Sequence, residues 1–305
     1  MDLLSILLLA LTFLAVMLVS GNNLSACVGP AVGSRIISKR FGMLLGASGF
    51  SLGLIIQGSA MTHTVNQLMP IATSQLRAEA LVVAIMIFFI ANLIRVPMSL
   101  SMSLVGLLAG FSIANGSMTN GVYVAEVVGM WVAAPLISIA LAFYLIRSIN
   151  RRQPKNLWRR LQTYKGLLII LAFSTSYVLG TNTIGLIVAT GGFDLAAVVV
   201  SIVAIFVGTF YLSAGAIRRV SQEFFLMRYP NATASLATST FLVEAATLFN
   251  VPLSNTQALS AAVFGIGISY KSKFVSVKPF LISVVSWVVA PILSFAIGFI
   301  IASVQ

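Results

Sequence analysis

Cysteine, histidine and carboxylates are the scarce groups of this 305-residue chain, which has one Cys, one His and six Asp and Glu together. With Cys27 alone there is no internal disulfide, and with His63 as the single imidazole a zinc or haem centre lacks the clustered ligands it needs. No catalytic residue and no metal site is expected. Charged residues are 8% of the chain, whereas a soluble domain carries about 25%. Strand-like alternation of apolar and polar residues is also missing, which excludes an outer-membrane barrel.

What is present is apolar: 59% of residues are hydrophobic and the mean hydropathy is +1.05. At about 20 residues per crossing the length accommodates about ten spans and little else. Apolar runs fall at Leu3–Val19 and at about 41–61, 80–96, 98–114, 122–146, 166–180, 193–213, 232–249, 253–270 and 279–303. The first has neither a basic flank before it nor a clear cleavage site and reads as a retained helix. The expected fold is all-α, a polytopic membrane protein of about ten transmembrane helices.

The net charge of +12 follows from 18 Lys and Arg against those six acids. In a soluble protein it would suggest nucleic acid; here it reads as the positive-inside bias, with no nucleic-acid partner. Basic clusters occupy alternate connections: Arg35, Lys39 and Arg40; Arg95; the seven from Arg147 to Lys165; Arg218, Arg219 and Arg228; and Lys271, Lys273 and Lys278. With both termini outside, every basic residue except Arg77 is cytoplasmic. The polar stretch 147–165 divides the chain into halves, 1–146 and 166–305, and its Asn156–Tyr164 portion reads either as an interfacial helix or as a solvated connector.

The halves resemble each other. Trp131-Val-Ala-Ala-Pro135-Leu-Ile-Ser138 recurs as Trp287-Val-Val-Ala-Pro291-Ile-Leu-Ser294, an offset of 156 residues. Pro97-Met-Ser99 recurs as Pro252-Leu-Ser254 at an offset of 155, and Gly21-Asn-Asn23 as Gly180-Thr-Asn182 at 159. Five spans per half, an odd number, would invert the second copy in the membrane. Inverted repeats of this kind place a substrate site near the midplane between discontinuous helices.

Two kinds of segment are candidates for that site. The Gly- and Pro-containing stretches Gly21–Ser34 and Gly180–Gly192 read as breaks in a span, tolerated only against protein or a wet cavity, or as close helix packing through small residues. The Pro97 and Pro252 segments read as starts of half-helices, with proline in the first turn followed by Ser99, Ser101 and Ser103 or by Ser254, Asn255, Thr256 and Gln257. Helix N-termini present free amides and partial positive charge, so these hydroxyls are either ordinary caps or part of an anion site.

On these motifs the chain resembles the inorganic phosphate transporters of the PiT family, which includes related sulfate permeases. The family signature Gly-Ala-Asn-Asp-Val-Ala-Asn-Ala followed by Gly-Thr-Ser-Val-Gly-Ser is matched by Gly21, Asn23, Ala26 and Gly29-Pro-Ala-Val-Gly33-Ser34, and in the second copy by Gly180 and Asn182. Its Pro-Val-Ser-Thr-Thr-His stretch is similar to Pro97–Met102 and Pro252–Gln257, and its Ser-Trp-Val-Val-Ser-Pro element to both tryptophan segments. The resemblance implies a secondary transporter of phosphate, or alternatively of sulfate, working by alternating access with H+ or Na+ coupling and no cofactor. It points to Asn23, Ser25, Ser99, Ser101, Asn182, Thr183, Ser254, Asn255 and Thr256 as substrate contacts.

Departures from the family bear on coupling. Its signature aspartate, tied there to the coupling cation, is Leu24 in one copy and Thr183 in the other. The second signature asparagine becomes Cys27 and Leu186, and the histidine becomes Met102 and Gln257. Glu244, inside the apolar run 232–249, is then the candidate proton carrier, against the alternative of a neutral, hydrogen-bonded carboxyl. Glu126 and Asp194 read as solvated at span ends. Arg95 either draws an anion inward or snorkels to the surface. A passive anion channel and a membrane enzyme acting on lipid phosphate are the rival classes, and a homodimer is left open.

Overall fold

The computed structural model describes residues 2–71, 73–93, 99–116, 119–151, 156–213, 228–270 and 277–304. Arg95, Pro97, Arg152, Lys155, Arg218, Arg219, Lys271 and Lys273 lie outside the described residues. Among the described residues all regular structure is helical. In chain order the helices are α1 (Leu3–Gly33), α2 (Lys39–Gln57), α3 (Met61–Leu68), α4 (Ser74–Leu93), α5 (Leu100–Ala114) and α6 (Gly121–Arg151). There follow α7 (Leu157–Leu179), α8 (Gly185–Gly191), α9 (Leu195–Val207), α10 (Tyr229–Leu248), α11 (Asn255–Tyr270) and α12 (Val277–Val304). A 3₁₀ turn, Gly58–Ala60, joins α2 to α3, and π turns cover Gly180–Ile184 and Gly208–Leu212.

Each of the ten apolar runs coincides with a helix, but the helices differ in reach. Among the described residues six stretches are long and apolar enough to cross a membrane: Leu3–Gly33, Lys39–Leu68, Gly121–Arg151, Leu157–Gly191, Leu195–Leu212 and Phe280–Val304. By contrast α5 has 15 residues and α11 has 16. At about 1.5 Å per residue they are about 22–24 Å long, short of a hydrocarbon core of about 30 Å. They pack as the second arms of hairpins with α4 and α10, and the hairpin tips carry the Ser99 and Ser254 segments.

Side-chain contacts gather the helix ends into two groups. At one end, Tyr270 Oη donates to Asn231 Oδ1 at 2.8 Å and accepts from Asn150 Nδ2 at 3.1 Å, with Tyr164 and Tyr229 rings 6.3 Å apart. At the other, Asn120 Nδ2 donates to Gln67 Oε1 at 2.7 Å, and Arg77 Nη1 donates to the Ala189 carbonyl at the end of α8 at 3.3 Å. The hairpin of α10 and α11 therefore opens at the first end.

Packing across the two halves is reciprocal. Helix α5 lies along α12 as α11 lies along α6, and α1 lies along α9 as α7 lies along α2. Glycines set the closest approaches. A Cβ on Gly110 would collide with the Phe295 carbonyl, and one on Gly265 with the Ile139 carbonyl. Both pairs sit at corresponding positions of the repeated sequence. Small residues let backbones meet where lipid gives no hydrophobic drive for association.

The Gly21–Ser34 stretch does not break its span: α1 runs unbroken to Gly33 with Pro30 inside it. A Cβ on Gly21 would come within 2.8 Å of the Gly208 carbonyl, so this glycine serves a helix crossing, the packing reading. The helix stops later, where Arg35 adopts a left-handed φ of 59° and the Ser34, Arg35 and Ile36 amides fold back onto Pro30, Val32 and Ala31. Gly180–Ile184 departs from α geometry as a π turn, not as unwound chain. Backbone amides buried inside a membrane protein stay paired this way. Asn156–Tyr164 is neither a separate interfacial helix nor a loop; Asn156 caps α7 through the Trp158 and Arg159 amides, and residues 157–164 are its first turns.

Candidate functional site

The second-half tip is built by local sequence. Helix α10 ends in a Schellman motif: Asn250 takes φ 56°, the Asn250 amide bonds Thr247 O at 2.9 Å, and the Val251 amide bonds Ala246 O at 2.8 Å. Pro252 disfavours helical geometry at Val251 and has no amide to donate. Val251–Ser254 therefore runs outside any helix before α11 begins at Asn255. Pro252 is thus not in the first helical turn, as the sequence reading had it, but three residues before it.

Asn182 holds this segment. From the π turn after α7, its Nδ2 donates to Thr247 Oγ1 at 2.9 Å and to Val251 O at 3.0 Å, while Oδ1 accepts from the Leu253 amide at 2.9 Å. The residue is fully buried. Both amide hydrogens are spent on protein, so in this conformation Asn182 organises the tip and has no proton left for an anion.

Next to it, Ser254 and Thr256 hydroxyls lie 2.9 Å apart, and Ser254 Oγ accepts from the Gln257 amide at 3.4 Å. The first-half tip repeats the arrangement: Ser99 and Ser101 hydroxyls are 3.0 Å apart, and Ser99 Oγ accepts from the Met102 amide at 3.5 Å. Capping uses one acceptor of each serine, which leaves hydroxyl protons and first-turn amides at both helix starts. Ser99, Ser101 and Ser254 are buried and Thr256 is half-buried.

Helix α1 meets the second tip through Cys27. Its Sγ accepts from Asn255 Nδ2 at 3.8 Å and donates to Thr175 O at 3.7 Å. Asn255 is 2% exposed and its Oδ1 has no hydrogen-bond partner. One turn back, half-buried Asn23 accepts from Asn22 Nδ2 at 3.4 Å, and Ser25 Oγ donates to Asn22 O at 2.9 Å. Thr183 is buried in the π turn beside Asn182. Leu24 is fully buried, and a Cβ on Gly46 would strike its Cδ1, so this position belongs to packing between α1 and α2.

The structure therefore joins Asn182, Ser254, Asn255 and Thr256 with α1, and pairs Ser99 with Ser101. No described hydrogen bond links the two hydroxyl pairs to each other. Glu244 lies on the face of α10 between two interhelical contacts, Thr240 to Thr175 at 2.6 Å and Thr247 to Asn182. Its Oε2 is buried without a partner. Asp194 caps α9 through the Ala197 amide at 2.6 Å, and Glu126 is exposed.

Sequence reasoning missed Thr175, Thr240, Thr247 and Trp131 as members of this neighbourhood. Thr240, Glu244 and Thr247 recur at helical spacing inside an apolar run, a polar stripe that periodicity would have exposed. Trp131 was noticed only as a repeat marker. Its Nε1 donates to Pro252 O at 2.8 Å and its carbonyl accepts from Gln257 Nε2 at 3.0 Å.

Comparison with known proteins adds the following. The model of the phosphate transporter family matches residues 19–162 and 146–298. A permease of Methanocaldococcus jannaschii, named for phosphate, is 25% identical over 96% of this chain and 95% of its own length. The sulfate permease CysP of Bacillus subtilis is 24% identical over 93% of this chain and 83% of its own. A solved structure of a sodium-dependent phosphate transporter superposes with a TM-score of 0.86 at 16% identity, covering 100% of both chains, which establishes the shared fold.

Proposed function

We propose, on the premise that the chain belongs to the phosphate transporter family, that it is a secondary transporter carrying a small tetrahedral oxyanion across the cell membrane by alternating access. The mirrored hydroxyl pairs Ser99–Ser101 and Ser254–Thr256, each at the start of a short helix, carry this reading. Two such starts supply hydroxyl protons, free amides and partial positive charge without a buried cation. Asn23 and Thr183 add donors, Asn255 adds the unpartnered acceptor Oδ1, Ser25 joins once its hydroxyl turns away from Asn22 O, and Asn182 fixes the geometry.

The halves 1–146 and 166–305, joined by the basic stretch 147–165, act as an inverted pair. The reciprocal packing of α5 on α12 and α11 on α6 supports this, as does the match of Gly110 with Gly265. The end that gathers Asn150, Tyr164 and Asn231 is cytoplasmic, because the basic connections fall there, and both termini are outside. Rocking of one half against the other opens the site alternately to each side.

Phosphate is the substrate we favour, as in the family name. Sulfate is the second reading: it only accepts hydrogen bonds, whereas protonated phosphate also needs an acceptor, a part that the unpartnered Asn255 Oδ1 can fill. Coupling is assigned to protons through Glu244, given Leu24 and Thr183 in place of carboxylates. Uptake of radiolabelled phosphate and sulfate into proteoliposomes, with imposed proton and sodium gradients, tests all of this. Saturable uptake of one anion is expected. No saturable uptake of either under any gradient refutes transport, and single-channel currents far above carrier turnover would instead indicate a passive channel.

A further inference from the structure

We propose that Trp131 is a positioning residue for the anion site, a role that rests on the transport reading above. The buried face of α6 presents Tyr123, Trp131 and Ser138, and each donates to a carbonyl of the second-half tip or of the helix that follows it. Tyr123 Oη reaches Asn250 O at 2.5 Å, Trp131 Nε1 reaches Pro252 O at 2.8 Å, and Ser138 Oγ reaches Ala258 O at 2.6 Å. Thr64 from α3 adds a second donor to Asn250 O at 2.7 Å. Helix α6 thus holds the opposite half at three points, two on the tip and the third, through Ser138, on α11 beyond it.

Trp131 differs from the other two because it grips both sides of Ser254. Its indole holds Pro252 and its backbone carbonyl holds the Gln257 side chain, two residues before and three after. Asn182 fixes Val251 and Leu253 from the other side. With these four bonds in place, the Ser254 and Thr256 hydroxyls and the first-turn amides of α11 have one orientation. Pro252 matters here twice, since its missing amide frees the segment from helix and its carbonyl is the group that the indole fixes.

The first half lacks part of this grip. The residue at the Gln257 position is Met102, which has no amide to donate to a Trp287 carbonyl. Ser294, the counterpart of Ser138, is fully buried with no hydrogen-bond partner. Among the described residues the second-half tip is therefore the better-held one.

The test compares Trp131→Phe, Gln257→Met and Ser138→Ala in proteoliposome uptake and in thermal melts. Trp131→Phe keeps the ring and deletes the donor, and Gln257→Met copies the first half. Both are expected to raise KM for the transported anion about tenfold with Vmax changed much less. Ser138→Ala, outside the tip, lowers the melting temperature and leaves KM unchanged. Hydrogen–deuterium exchange at 253–257 should rise in Trp131→Phe and not in Ser138→Ala, which provides a reading even where uptake is weak. Unchanged KM and exchange in both tip variants overturns the inference alone. Absent uptake by the unsubstituted chain overturns the transport reading, and this inference with it.

Discussion

Replacing Asn182 by alanine separates scaffold from substrate contact. The side chain makes three hydrogen bonds while fully buried. Its deletion strands Val251 O and the Leu253 amide in a segment with no described alternative partner. Thr247 keeps its own bond to Val243 O at 2.8 Å, so two groups bear the cost. At about 1 to 3 kcal/mol for each unsatisfied buried group the loss is about 2 to 6 kcal/mol, toward the lower figure if a water enters the polar space left behind. By soluble-protein scaling that is on the order of 5 °C or more in a detergent melt. Asn23 is the control. It is half-buried and its amide protons have no described partner, so Asn23→Ala should leave the melt nearly unchanged and raise KM. A melt of Asn182→Ala equal to that of the unsubstituted chain, with KM raised as in Asn23→Ala, would refute the scaffold assignment.

Four further outcomes are expected. Gly110→Ala and Gly265→Ala should destabilise by similar amounts, each typical of an overpacked helix crossing at about 1 to 3 kcal/mol or more, and a large inequality in their melts would count against equivalent crossings. Glu244→Gln should abolish uptake driven by a proton gradient while anion exchange between two loaded sides continues; loss of both would assign Glu244 to structure. Ser99→Ala and Ser254→Ala should each weaken anion binding, and the second more, because the better-held tip belongs to Ser254. Replacing sodium by choline should not change initial uptake rates, and steep sodium dependence would overturn the coupling assignment.

Much of the fold is legible in the sequence because membrane burial leaves a coarse signal. Runs of apolar residues gave ten of the twelve described helices, and the short α3 and α8 fell outside them. Reach was harder to read. The run at 253–270 looks like any other span, yet α11 starts only at Asn255, because Asn250, Pro252 and partners elsewhere in sequence keep the segment before it out of the helix. Continuity also misled: Gly21 and Pro30 suggest a break, but Gly21 makes a crossing against Gly208 and Pro30 sits three residues from the helix end. Roles within the site depend on long-range partners. Asn182 and Asn23 are equivalent by motif, and among the described residues Thr247, Val251 and Leu253 make Asn182 a clamp.

Symmetry of backbone is combined here with asymmetry of side chains. If both tips were held equally, the two faces of an inverted pair would present equal affinities. Here the second tip is bound by Asn182, Trp131 and Gln257, whereas the first has Met102 where Gln257 stands and an unpaired Ser294. Leu24 and Thr183 remove the symmetric carboxylates as well, so the remaining intramembrane acid, Glu244, lies in one half only. It lies on α10, whose end forms the same tip, with Thr247 between it and the Asn182 clamp. A change of charge at Glu244 therefore acts on the helix that carries the better-organised half of the site. On the proposed assignment of Glu244, proton binding and anion binding meet in a single hairpin, and the two gradients across the membrane set the direction of net transport.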